Sequence, residues 1–158
     1  AILWATSYIN FNSPPSLPKQ FFHAVLTSQD IISPSSGFSS QEVIEIQLLG
    51  LQSGDPQRGI EQVWAFAHPA NKQATGPLPR FKMLFELPAY SPLLELQNYS
   101  VDLIEDTGLV SQYLISIVTN DGISYDYLWV VEKVLTGEQA GFWMTTMVSS
   151  PRQMRRAS

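Results

Sequence analysis

Residues 55–94 read DPQRGIEQVWAFAHPANKQATGPLPRFKMLFELPAYSPLL, and in this stretch proline twice stops a helical pattern. Asp55 followed by Pro56 is an N-cap with proline at the first helical position, where a missing N–H costs nothing because it has no partner within the helix. Ile60, Val63, Trp64 and Ala67 then recur at i, i+3, i+4 and i+7, with Phe66 at the flank, so one face of this helix is expected to be buried. Pro69 biases His68 toward an extended backbone and predicts the end of the helix near that point. The run Asn71–Pro79, with its glycine and two prolines, reads as a shaped corner. Pro79 restarts a helix that carries Phe81, Leu84 and Phe85 on one side, and Pro88 and Pro92 bound a short turn around Tyr90.

Outward from this stretch the pattern is helical before it and strand-like after it. Ser39 and Glu42 form an S-x-x-E capping box and predict a helix through about Gln52, closed by Gly54. Beyond Leu96 the apolar period falls to two. Tyr99, Val101 and Leu103 alternate with polar residues, Leu109–Thr119 follows as a β-rich run, and Asn120-Asp121-Gly122 is a hairpin signal. Tyr125, Tyr127, Trp129 and Val131 share one face of the next strand, and Phe142–Val148 supplies the last. About three helices followed by about four antiparallel strands is an α+β order, with helices covering one face of a curved sheet.

Composition narrows the function. The chain has 158 residues, enough for one domain, with 44% hydrophobic and 15% charged residues and a net charge of −5. Only 9 Lys and Arg are present, which argues against a nucleic-acid surface. The absence of cysteine excludes disulfides, iron–sulfur clusters and thiolate zinc sites. No apolar run approaches the roughly 20 residues that span a bilayer, so a soluble or peripheral protein is expected. Residues 1–38 carry only Lys19 and Asp30 as full charges but many large apolar side chains. An arm of that composition is expected to be buried. It either straps its own domain or docks on a partner protein through Trp4, Tyr8, Phe11, Phe21 and Phe22, with one short helical turn over 21–26. Residues 39–150 form the domain, and 151–158 a basic tail with Arg152, Arg155 and Arg156.

Over residues 40–149 the chain resembles an uncharacterised family of the nuclear-transport-factor-2-like superfamily. The resemblance is carried by Gln47–Gln52, Gly59-Ile60, FAHPAN at 66–71, ATGPL at 74–78, Arg80-Phe81, Pro88-Ala89-Tyr90, Pro92-Leu93-Leu94, Asp121-Gly122 and FWMT at 142–145. It implies a cone-shaped α+β fold, shared by ketosteroid isomerases, scytalone dehydratase and many binding modules, with a pocket between the long helix and the concave sheet. It implies no reaction. An organelle location, a plastid among them, follows from the resemblance only.

Candidate chemistry is sparse. Asp126 lies between Tyr125 and Tyr127 and would gain a raised pKa if it faced an apolar cavity, but alternation puts it with Ser124, Leu128 and Val130, opposite the aromatics. His68, at a helix end, is the second acid–base candidate, and its ordinary duty there is to cap exposed carbonyls. Trp64, Tyr113, Tyr125, Tyr127, Trp129 and Trp143 either line a cavity or pack as core. Asn71, Gly76, Pro77 and Arg80 are read as a structural corner. Two histidines and no clustered carboxylates offer no metal site, and no motif calls for a cofactor. Asn98-Tyr99-Ser100 fits the glycosylation pattern but falls at a strand start. The expected function is a non-enzymatic structural or scaffold subunit of a larger protein assembly, docking through the apolar arm, with a homodimer also compatible. The rival is a protein that binds a small apolar ligand, or an isomerase- or dehydratase-type enzyme, using the cone cavity.

Overall fold

The Ser39–Glu42 capping box forms as the sequence requires: Ser39 Oγ accepts from the Glu42 N–H at 3.2 Å, and the Ser39 N–H donates to Glu42 Oε2 at 3.3 Å. The structure is a computed structural model that describes residues 30–153. Trp4, Tyr8, Phe11, Phe21 and Phe22, the turn expected over 21–26, and Arg155 and Arg156 lie outside the described residues.

From that cap, helix α1 (Ser40–Gln52) runs to a Ser53 C-cap, and Gly54 at φ 86 reverses the chain. Helix α2 (Pro56–Ala65) starts where Asp55 Oδ1 accepts from the Gln57 and Arg58 N–H groups at 3.1 and 3.3 Å. The two helices approach closely because glycines face each other. A Cβ on Gly59 would sit 3.0 Å from both Gly50 O and Leu51 Cα, and one on Gly50 would sit 2.9 Å from Gln62 Cβ and Cγ.

The next element departs from the sequence expectation. The sequence reads Pro69 as a helix stop and Asn71–Pro79 as a corner, yet Pro69–Thr75 forms helix α3. Proline that ends one helix also suits the first position of another, because its φ is already helical and its absent N–H is one of the unpaired ones. Among the described residues four α-helices are therefore present where about three were expected. Gly76 then turns the chain at φ 84 and ψ −175, a region open essentially only to glycine, and α4 (Leu78–Leu84) follows. A single 3-10 turn (Ser91–Glu95) leads into the sheet.

Strands β1 (Leu96–Asp106), β2 (Val110–Thr119), β3 (Ser124–Lys133) and β4 (Trp143–Val148) form an open antiparallel sheet in sequence order. The β3–β4 pairing shifts register between Val130 and Val131, and past the end of β4 the chain pairs with β3 again as β5 (Arg152–Gln153), opposite Asp126 and Tyr125, so the first basic residue of the tail belongs to the sheet. Along β2 the alternation is strict: Ser111, Tyr113, Ile115, Ile117 and Thr119 are buried, and the residues between them are half-buried. Helix α1 packs on β1 and β4, and α3 on β4, so this inner face and the helices enclose the core.

The end of the arm returns to this core. The fully buried Gln62 amide holds Ile32 at both backbone groups, accepting its N–H and donating to its C=O at 2.9 Å each. Phe38 meets Phe66 with ring centroids 6.2 Å apart. Residues 30–38 thus lie on their own domain. No helix among the described residues is long and apolar enough to cross a membrane.

Candidate functional site

Between the helices and the β4 side of the sheet lies a half-open cavity of about 80 Å³. Phe81, Leu84 and Phe85 from α4 and the turn after it form one wall, Val63 and Ala67 a second, and Trp129 and Val148 the sheet side. Its polar lining consists of Asn71, Thr75, Tyr90 and Thr145.

Thr145 is the centre of a buried network. Its hydroxyl accepts from Trp129 Nε1 at 3.1 Å and from Gln47 Nε2 at 3.0 Å, and donates to Gln47 Oε1 at 3.2 Å. One O–H and two lone pairs are all a threonine hydroxyl has, so nothing is left to offer a ligand. Gln47 Nε2 also donates to Val43 O at 3.0 Å. On its backbone side Thr145 ties β4 to the α2–α3 junction: its N–H donates to Phe66 O at 2.7 Å, and its carbonyl accepts from the His68 N–H at 2.8 Å and from Asn71 Nδ2 at 3.2 Å. Tyr90 Oη donates to Val148 O at 3.0 Å, and Thr75 Oγ1 to Asn71 O at 2.8 Å. The Thr145, Tyr90 and Thr75 hydroxyls are thus committed to holding the cavity walls, and Asn71 gives one of its two amide N–H groups to the same task.

Neither acid–base candidate reaches the cavity. Asp126 sits on the outer face of β3, across from Ser116 and Arg152, while Tyr127 beside it points inward and is fully buried. His68 caps amides rather than carbonyls, its Nδ1 accepting from the Ala70 N–H at 3.1 Å as the N-cap of α3. Of the six aromatic residues, Trp129 lines the cavity and the other five do not. Tyr127 Oη donates to Ala89 O at 2.8 Å, and Tyr113 Oη pairs with Ser40 Oγ at 2.7 Å. Burial raises the pKa of both phenols. Tyr125 is half-buried against the core, and Trp143 lies 5.4 Å from Lys133 Nζ. Lys72 Nζ sits 4.0 Å from the centroid of half-buried Trp64, and burial lowers its pKa. In the corner, Arg80 lays its stem over Gly76, where a Cβ would meet Arg80 Cδ at 2.7 Å. Gly76 and Pro77 serve as the C-cap of α3 and the N-cap of α4. No group of three or more His, Asp or Glu that could hold a metal ion occurs among the described residues.

One titratable group was not singled out by sequence. Glu45, 4% exposed on α1, accepts from Gln41 Nε2 at 3.1 Å through Oε1, and its Oε2 has no hydrogen bond. Burial raises its pKa; the Gln41 bond opposes this and nearby Glu42 adds to it. A carboxyl that holds its proton more tightly when folded costs nothing below its unfolded pKa, and its penalty grows as pH rises toward the folded value. Glu45→Gln should therefore be neutral near pH 4 and stabilising by about 1 kcal/mol at pH 7, read by urea denaturation at both values. No protein-family model matches this chain, and neither a curated protein nor a solved structure matches it.

Proposed function

We propose that this chain is a non-enzymatic structural subunit of a larger protein assembly, built on a cone of the nuclear-transport-factor-2-like kind and docking through its apolar N-terminal arm. The observation that carries this reading is the chemistry of the cavity. Among the described residues its only ionisable lining side chain is Tyr90, whose hydroxyl is spent on Val148 O. General acid–base catalysis needs a group with a pKa near the working pH placed within reach of substrate, and an isomerase or dehydratase also needs donors for a developing oxyanion. The described lining side chains supply no such acid or base, and the hydroxyl and indole donors among them are already spent on the walls.

Surface composition adds support. Leu103, Ile104, Leu109 and Leu135 are 50–72% exposed. The Lys133 N–H donates to Leu109 O, so Leu135 projects at the same end of the sheet as the β1–β2 turn. Exposed apolar side chains at one end of the sheet favour a contact surface there. Gln62 fixes Ile32, at the described end of the arm, beside α2.

The protein isolated from its native source should elute with stoichiometric partners at a mass well above that of its own chain. The same chain carrying Trp4→Ala, Phe11→Ala and Phe22→Ala should lose them while keeping its circular dichroism. Recovery of the unaltered chain alone, or retention of every partner by the altered one, would sink the proposal.

A further inference from the structure

We infer that the end of the sheet formed by the β1–β2 turn and the β3–β4 connection takes a basic, amphipathic segment of a partner protein, one that carries Lys or Arg beside large apolar side chains. The inference deepens the assembly reading and rests on it for the existence of a partner. Leu103 and Ile104 of β1, Leu109 of the turn and Leu135 of the connection are each at least half exposed at this end. Acidic side chains stand among them: Asp102 and Glu105 on β1, and Glu138 three residues past Leu135, all exposed. Among the described residues none of these three carboxylates makes an ion pair. Strands β1 and β2 contain no lysine or arginine, and Lys133, at the end of β3, lies over the Trp143 ring at 5.4 Å.

Apolar surface set beside uncompensated negative charge selects its occupant by chemistry. Nucleic acid and anionic lipid are repelled, because their phosphates would face carboxylates. A second copy meeting this end with its own would set carboxylate against carboxylate, in a chain of net charge −5. Lys and Arg meet both demands in one side chain: the aliphatic stem covers leucine and isoleucine while the charged head reaches a carboxylate. The contact is made by side chains and not by strand addition. β1 is an edge strand, but its register with β2 shifts between Leu103 and Glu105, which leaves Ile104 without a residue opposite and interrupts the edge that an added strand would follow.

Three synthetic peptides of equal length test the chemistry: one of Leu and Lys at helical spacing, its Leu/Glu counterpart, and a Ser/Lys peptide. In NMR of backbone amides the Leu/Lys peptide should move the signals of residues 103–109 and of Leu135, with a Kd that weakens about tenfold from low to physiological salt. The Ser/Lys peptide should bind about tenfold more weakly, and the Leu/Glu peptide should move nothing. Asp102→Asn with Glu105→Gln, and separately Leu103→Ser with Leu135→Ser, alter exposed side chains and should each weaken the Leu/Lys peptide about tenfold. In the protein isolated with its partners, Asp102→Lys with Glu105→Lys should release at least one partner while the circular dichroism is kept. A Leu/Glu peptide that binds as tightly, shifts confined to another part of the chain, or an unchanged affinity in either pair of substitutions would overturn the inference. If the charge-reversed chain keeps every partner and the arm variant loses them, this inference fails and the assembly reading stands, whereas recovery of the unaltered chain alone removes both.

Discussion

Thr145→Val should destabilise the fold by about 3 kcal/mol, although it replaces one oxygen by a methyl group and leaves the shape of the side chain almost unchanged. The loss comes from the groups left behind. Trp129 Nε1 and Gln47 Oε1 lose their bonds to Thr145, Gln47 Nε2 keeps only Val43 O, and both residues are fully buried. Each stranded group costs roughly 1–3 kcal/mol, whereas the added methyl returns at most about 0.8 kcal/mol of transfer free energy. The unsatisfied groups win.

The Thr145 backbone bonds to Phe66, His68 and Asn71 do not involve the side chain, so the change isolates the hydroxyl. Equilibrium denaturation in guanidinium gives the number, and Thr145→Ser, which keeps the oxygen, should lose clearly less. Pairing Thr145→Val with Gln47→Leu should cost less than the sum of the two single changes, because the second removes a group the first has stranded. A loss below about 1 kcal/mol for Thr145→Val would mean that the indole and amide find other partners.

The same network shows where sequence reading reaches and where it stops. Local signals carried the first two helix starts, since a capping box or an Asp-Pro pair satisfies orphan N–H groups whatever the rest of the chain does. Period-two alternation carried β2 and β3 for a similar reason: one face of each strand must be buried. Helix α3 escaped because none of its residues is buried, so it leaves no apolar period, and Pro69 was read as a stop and not also as a start. What holds α3 is tertiary, the Asn71 amide on Thr145 O across 74 residues.

The cavity was legible only in part. Alternation says that Tyr127 and Trp129 face inward, but which part of the inner face the helices leave uncovered is set by how α2 and α4 cross it, and no strand pattern encodes that. Gln47 and Thr145 lie 98 residues apart, beyond any local signal. An available clue was Gln47 between Ile46 and Leu48, where an unpartnered amide would be costly.

Gly50→Ala sets two opposing effects against each other, and the structure says which prevails. In an exposed helix the change would stabilise by about 1 kcal/mol through backbone entropy. Here the new Cβ would sit 2.9 Å from Gln62 Cβ and Cγ, well inside the roughly 3.5 Å at which carbons touch. Those carbons are at the root of the side chain and cannot swing aside without moving α2 or changing the Gln62 rotamer. A shift of the helix incurs an overpacking cost of about 1–3 kcal/mol, and a changed rotamer releases both Gln62 bonds to Ile32, at about 1 kcal/mol each. The expected net result is a loss of about 1 kcal/mol, together with faster hydrogen exchange at the Ile32 amide and proteolysis within 30–38, because the Gln62 amide holds Ile32 on α2. The two readouts separate the routes: destabilisation with Ile32 still protected means that α1 and α2 have moved apart, whereas loss of protection means that the rotamer gave way. If Gly50→Ala raises stability and Ile32 stays protected, the close approach of the two helices relaxes freely, and the glycine pair does not set their spacing.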